Sequence, residues 1–192
     1  MRSEEHQIRA GKARNFVLVT LVMGLVVAAD QITKSLVLDR LGPNGDHTQI
    51  TIIPGFLRFI YVENTGAAFG IFQGKSPVLT ILALAVIMFL VVYFRHSIAR
   101  SLWLSVALGL QLGGAFGNVI DRFRHGFVVD FINVPKWPTF NVADSSITVG
   151  VIMLGLYLLT RDPASTPVDG EQAAETSSRA TVDNPVVEKR AP

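Results

Sequence analysis

The stretch LWLSVALGLQLGGAFGNVIDR, residues 102–122, decides the fold class of this chain. It is apolar and long enough to cross a bilayer core of about 30 Å, which takes about 20 helical residues. Gln111 is the notable polar residue within it, and three more polar residues close it: Asn118, Asp121 and Arg122. Its glycines recur at every fourth position, a spacing that lets a neighbouring helix approach closely: Gly109, Gly113 and Gly117. The stretch predicts a membrane-spanning helix with a polar end.

The composition of the whole chain also favours a membrane protein. Hydrophobic residues make up 49% of the 192 residues and charged residues only 17%, and the mean hydropathy is +0.41. The net charge of +2 predicts no nucleic-acid partner, because such binding needs a concentrated basic face. The absence of cysteine excludes disulfides, thiolate metal sites and cysteine nucleophiles.

Three further apolar segments bring the number of predicted spans to four: residues 16–29, 77–94 and 142–160. The first is short, so its helix must continue past Asp30 towards Lys34 in order to span. The fourth spans if Asp144 lies within or beside its first turn. We therefore predict an α-helical polytopic membrane protein with four transmembrane helices. An alternative interpretation of the amino end, a cleaved signal peptide ending near Ala29, would leave three spans.

The chain is expected to have three parts. Residues 1–15 form an amino-terminal tail, residues 16–160 the four-span domain, and residues 161–192 a carboxyl-terminal tail rich in Pro, Ser, Thr, Ala and Glu, a composition typical of disorder. Cytoplasmic segments are enriched in Lys and Arg, and Arg95 and Arg100 lie close together in the short loop after the second span. This density of basic residues predicts that both termini are cytoplasmic.

Because successive spans run in opposite directions, the unusual polar residues meet at the membrane face opposite the termini. They are Asp30, Lys34, Asn64, Asn118, Asp121, Arg122, Asp130, Asn141 and Asp144. A charged residue within a span costs about 2.5–3.5 kcal/mol, so an intramembrane acid indicates function by default. The alternative for any single residue is that it lies among the headgroups and anchors a helix end.

The loops at this face are predicted to form a small sheet. Residues 49–53 and 56–62 read as two strands joined by the turn Pro54-Gly55, and residues 126–131 could add a third. Asp130 would then project away from the apolar face formed by its neighbours Val129 and Phe131.

The available side chains favour carboxylate chemistry. There is no Gly-x-Ser-x-Gly motif, and the four histidines have no metal-ligand spacing, so serine and zinc peptidases are disfavoured. Two aspartates that share one proton can act as base and acid in peptide hydrolysis. The span topology permits this for Asp130 and Asp144. An aspartic peptidase would need no metal and no cofactor.

Five ordered motifs carry a family resemblance: Asp30-Gln31-Ile32-Thr33-Lys34, Asn64-Thr65-Gly66-Ala67-Ala68-Phe69, GGAFGNVIDR at residues 113–122, Val129-Asp130-Phe131 and Phe140-Asn141-Val142-Ala143-Asp144. Together they resemble the lipoprotein signal peptidases, also called signal peptidase II, over roughly residues 16–160. The chain departs from the family pattern at Gly70, directly after Phe69, where the family often has serine. It departs also in the compact connection between Asp130 and Asp144 and in its long carboxyl tail.

The resemblance implies a membrane aspartic endopeptidase that cleaves diacylglyceryl-modified bacterial prolipoproteins just before the lipidated cysteine and is sensitive to globomycin. It implies that Asp130 and Asp144 are the catalytic dyad. The residues matching substrate-binding or supporting positions are Asn64, Gly66, Asn118, Arg122 and Asn141, and we interpret three further motif residues as structural: Asp30, Lys34 and Asp121.

The implied location is the bacterial cytoplasmic membrane, with the site at its extracytoplasmic face. The resemblance also implies that the small sheet is extracytoplasmic and that a short amphipathic segment within residues 34–47 covers the site. The expected partners are the lipidated substrate and membrane lipid, with no obligate protein partner.

Two other functions fit the composition. A small transporter or channel subunit could use buried carboxylates as a proton or cation relay, but its polar residues should then follow a path through the membrane. A structural membrane-assembly subunit would use the motifs as helix contacts, which does not explain an aspartate in a strand outside the spans.

Overall fold

The computed structural model describes residues 2–66, 73–94 and 101–160, without the side chains of residues 2–10 and 12. Along the chain it contains α1 (Arg2–Leu41), β1 (Gln49–Ile53), β2 (Leu57–Asn64), α2 (Ser76–Phe94), α3 (Leu102–His125), β3 (Val128–Asn133) and α4 (Val142–Leu159). The predicted carboxyl-terminal tail, the loop with Arg95 and Arg100, and Gly70 lie outside the described residues.

The prediction of four membrane-spanning helices is confirmed within the described part of the chain. The segments long and apolar enough to cross a membrane are Ala13–Leu41, Ser76–Phe94, Leu102–His125 and Val142–Leu159. Helix α1 continues through Asp30 and Lys34, as the short apolar run required, and Asp144 lies in the first turn of α4.

The expectation of a separate amphipathic segment within residues 34–47 is wrong. Residues up to Leu41 continue α1, and they stay helical because Val37 and Leu41 pack against the sheet. A cluster of buried apolar side chains joins these two residues to Val129 and Phe131 of β3.

Helix α3 lies at the centre of the membrane domain. In the apolar 18-residue stretch of α3, 61% of the residues are buried. The corresponding shares for α1, α2 and α4 are 17%, 22% and 11%. The glycine stripe of α3 faces α1, since a Cβ at Gly109 or Gly113 would meet Val22 or Val26. Such close approach strengthens van der Waals packing, the main attraction between helices in lipid.

A neighbouring face of α3 contacts α4. A Cβ at Gly114 would overlap the carbonyl oxygen of Ala143, and a Cβ at Gly150 would meet the side chain of Gln111. Gln111 Nε2 donates to the carbonyl oxygen of Gly150 at 3.1 Å, so the polar residue inside the span joins two helices. This packing fixes the first half of α4 against α3.

The three strands form one antiparallel sheet in the order β1-β2-β3. The predicted first strand is confirmed, whereas β2 begins one residue and β3 two residues later than expected, and both end two residues later. Val129 and Phe131 enter the apolar cluster, and Asp130 lies opposite Val62 on the other face. The alternation predicted for Asp130 is therefore correct.

Candidate active site

A buried ion cluster joins α1 to α3 at the polar end of the membrane domain. Lys34 Nζ lies 2.9 Å from Asp30 Oδ2 and 2.9 Å from Asp121 Oδ2, and all three side chains are at most 3% exposed. Asp30 also accepts a hydrogen bond from the backbone N–H of Ala143, and Asp121 accepts one from Val129. The cluster thereby holds the start of α4 and the start of β3 against the two helices.

Gln31 belongs to this cluster although the sequence analysis gave it no role. Its Nε2 lies 2.9 Å from Asp121 Oδ1 and 3.2 Å from Asp30 Oδ2. It therefore supplies donors to both carboxylates that surround Lys34. The sequence feature that could have pointed to Gln31 is its position within the Asp30–Lys34 motif.

Asp130 is held by two amide side chains. Asn64 Nδ2 and Asn141 Nδ2 each donate to one of its oxygens at 2.7 Å. The orientation of Asn64 is fixed because its Oδ1 accepts from the backbone N–H of Gly66 at 2.9 Å. Gly66 therefore contributes through its backbone.

Asp144 is held by the cap of its own helix. Asn141 precedes α4, and its Oδ1 accepts from the N–H of Asp144 at 2.9 Å while Asp144 Oδ2 accepts from the N–H of Asn141 at 3.3 Å. This reciprocal pattern is a capping box, which satisfies two N–H groups that a helix start leaves free. The sequence Asn-Val-Ala-Asp thus places a carboxylate on a rigid helical turn.

Asn118 completes the site from α3. Its Nδ2 donates to Asp144 Oδ1 at 2.7 Å, and its Oδ1 accepts from Lys34 Nζ at 2.9 Å and from Asn141 Nδ2 at 3.1 Å. The ion cluster and the two carboxyl groups of Asp130 and Asp144 are therefore connected through one amide.

Asp130 and Asp144 line the same cavity, which has a volume of about 640 Å³. Its wall combines the predicted polar residues with apolar and aromatic side chains that were not among the predicted site residues: Val128, Trp137, Pro138, Phe140, Ile147 and Val149. These positions are ordinary apolar residues in the sequence, and only the packing of β3, the following loop and α4 brings them to one wall. The cavity can accept an apolar ligand beside two acids.

Arg122 also lines this cavity. Its Nη1 donates to the carbonyl oxygen of Asn118 at 3.4 Å, and its Nε is buried without an acceptor among the described residues. Because Arg122 lines the cavity, its guanidinium is placed to meet an oxygen of a bound ligand.

Burial, and after it the nearby charge of Asp144, raise the pKa of Asp130 to about 7, against the lowering effects of the amide hydrogen bonds and of the Lys34 charge. A carboxyl group with this pKa can hold a proton near neutral pH. The structure thus brings together all ten residues that the sequence singled out, in two linked groups: the ion cluster and the carboxyl pair with its amides and Arg122.

A family model described as Signal peptidase (SPase) II matches residues 22–160. The chain belongs to the signal peptidase II family. The lipoprotein signal peptidase of Syntrophomonas wolfei is 47% identical over 135 residues, 70% of this chain and 88% of the relative. That of Moorella thermoacetica is 39% identical over 160 residues, 83% of this chain and 98% of the relative.

Solved structures agree with this membership. A bacterial membrane enzyme solved at 2.3 Å resolution is similar with a TM-score of 0.69 and 35% identity, covering 78% of this chain and 93% of that one. A second, at 1.9 Å, gives a TM-score of 0.66 with 36% identity over 75% of this chain and 94% of that one. Membership of the signal peptidase II family makes this chain a membrane peptidase and disfavours the transporter and assembly-subunit hypotheses.

Proposed function

We propose that this chain is an aspartic endopeptidase that removes the signal peptide from diacylglyceryl-modified bacterial prolipoproteins, cutting just before the lipidated cysteine. Membership of the signal peptidase II family supports the substrate class. The observation that carries the mechanism is that Asn141 holds both carboxyl groups, Asp130 through its side chain and Asp144 through its backbone.

The reaction needs one proton on the pair. The anionic carboxylate takes a proton from water, whose oxygen attacks the scissile carbonyl carbon, while the protonated carboxyl donates its proton to the carbonyl oxygen. In the resulting gem-diol, the carboxyl group that is now anionic takes a hydroxyl proton. The carboxyl group that received the proton from water protonates the nitrogen of the cysteine, and the C–N bond breaks. Both carboxyl groups are needed in opposite protonation states.

The wall of the cavity fits such a substrate. Its apolar side, including Trp137 and Val149, suits a signal helix and acyl chains that arrive laterally from lipid, while its polar side admits water. We assign Arg122, which lines the cavity, to a substrate carbonyl oxygen. In this proposal the cavity opens at the extracytoplasmic face of the bacterial cytoplasmic membrane and both termini are cytoplasmic.

The test uses purified full-length protein with one prolipoprotein in two forms, lipidated and unlipidated, each with and without a chelator. Cleavage of the lipidated form alone, before the cysteine and unchanged by the chelator, is the expected result. Equal cleavage of the unlipidated form would show that the enzyme does not require the lipid on its substrate, which contradicts the proposed specificity. Loss of cleavage with the chelator would replace the carboxyl pair by a metal mechanism.

The pH profile of cleavage should have an alkaline limb near pH 7. Below that pH Asp130 is protonated and the pair holds its one proton; above it both carboxyl groups are anionic and no acid remains. We expect kcat/KM to fall about tenfold for each pH unit above the limb. Measuring kcat/KM in detergent from pH 5 to 9 checks this, and a profile flat to pH 9 would contradict it.

A further inference from the structure

Lys34 is joined to the carboxyl pair as well as to its ion cluster. The ammonium has three hydrogen-bonding positions. Two meet Asp30 and Asp121, and the third meets Asn118 Oδ1, each at 2.9 Å. A purely structural lysine between two carboxylates does not require this third acceptor.

The contact from Lys34 to Asn118 Oδ1 at 2.9 Å, together with the weaker donor Asn141 Nδ2 at 3.1 Å, decides which way that amide points. A side-chain amide carries an acceptor on one side and donors on the other. With Oδ1 turned to the ammonium, Nδ2 must face Asp144, to which it donates at 2.7 Å. The amides of Asn64 and Asn141 are fixed by backbone N–H groups instead. Among these three amides, Asn118 is the one whose oxygen accepts a hydrogen bond from a cationic side chain.

We propose that Lys34 is a positioning residue of the peptidase, which orients the Asn118 amide towards Asp144 and supplies a positive charge that favours the anionic forms of the carboxyl pair. This rests on the proposed function, because it assigns Lys34 a role in the same reaction. Lys34 acts through Asn118 and does not contact the substrate.

The helices and strands that pack around Asp130 and Asp144 contribute the other charged groups near this pair. Helix α1 contributes Asp30, α3 contributes Asp121 and Arg122, and the pair itself comes from β3 and α4. Glu63 of β2 is exposed and is bound by Tyr61 on the strand face away from Asp130. The ammonium with its two carboxylates has a net charge of −1, so Lys34 cannot be removed alone without leaving two buried anions unpaired.

The test therefore uses two charge-matched double variants, Lys34→Met/Asp30→Asn and Lys34→Met/Asp121→Asn. Each keeps the net charge of −1 and an oxygen for the backbone N–H of Ala143 or Val129. The controls are the single variants Asp30→Asn and Asp121→Asn, which keep the ammonium. The readout is kcat and KM for a lipidated prolipoprotein from pH 5 to 9.

We expect the alkaline limb of both double variants to lie about one pH unit above that of their controls, since loss of the cation favours the protonated pair. KM should change by less than about twofold, because no substrate contact is lost. Double variants whose limbs coincide with those of their controls, even with a lower kcat, would overturn the proposal.

Asn118→Leu provides an independent test. It removes the hydrogen bonds that connect Lys34 to Asp144 through Asn118, but it keeps both ion pairs of Lys34. Its alkaline limb should also move to higher pH, and an unchanged limb would overturn the proposal even if neither double variant folds. Failure of the proposed function is distinguishable, because the unmodified protein would then not cleave the lipidated substrate before its cysteine.

Discussion

Asp130→Asn and Asp144→Asn are each expected to lower kcat/KM for a lipidated prolipoprotein by about 10³-fold or more, while the protein still accumulates in membranes. An asparagine keeps the shape of the side chain but can neither take a proton from water nor donate one as an acid. Each variant therefore removes one half of the reaction. The measurement is the initial rate of signal-peptide release in detergent.

The fold should tolerate both changes. Each oxygen of the two carboxyl groups accepts one hydrogen bond, so an amide loses about one favourable contact at each site. Asp39→Asn is the matched control, because Asp39 is on the same face of the membrane domain but its side chain is 77% exposed. Cleavage by either dyad variant within about tenfold of the unmodified protein would contradict the assignment.

Gly114→Ala should both destabilise the protein and impair cleavage. The new Cβ would overlap the carbonyl oxygen of Ala143, a backbone atom that cannot rotate away. Overpacking of this kind costs about 1–3 kcal/mol. Ala143 directly precedes Asp144, so α4 must shift at the carboxyl pair, and a shift of about 1 Å can cost on the order of 10²-fold in rate.

The controls are Gly24→Ala and Gly155→Ala, at helical positions where a Cβ meets no atom within 4 Å. Both should melt close to the unmodified protein in detergent and keep its cleavage rate. If Gly114→Ala melted and cleaved like these two variants, the contact between α3 and α4 would not be what positions Asp144.

Much of the fold could be predicted because lipid imposes simple rules on sequence. A span must be apolar for about 20 residues, and each span reverses direction, so the polar ends of four helices meet at predictable faces. These rules correctly placed Asp144 in the first turn of α4 and extended α1 past Lys34. The further extension to Leu41 was missed, because it depends on Val37 packing against a sheet distant in sequence.

The candidate site was predictable as a set of residues but not as a set of contacts. The motifs named Asn118 and Lys34 separately, as a supporting residue and a structural one, and their spacing along the chain gives no reason to join them. Only the packing of α1 on α3, through Gly109 and Gly113, brings the ammonium to the amide. Gln31 was overlooked for the same reason, since its partner Asp121 lies on another helix.

The sequence by itself determined the number of spans, the face that collects the acids and the family to which the chain belongs, because apolar length, alternation and ordered motifs are local properties. The tertiary structure decided which donor meets each carboxylate oxygen and raised the pKa of Asp130 to about 7. Hydrogen bonds and burial depend on distances of a few ångström between distant segments, and those distances are set only when the helices pack.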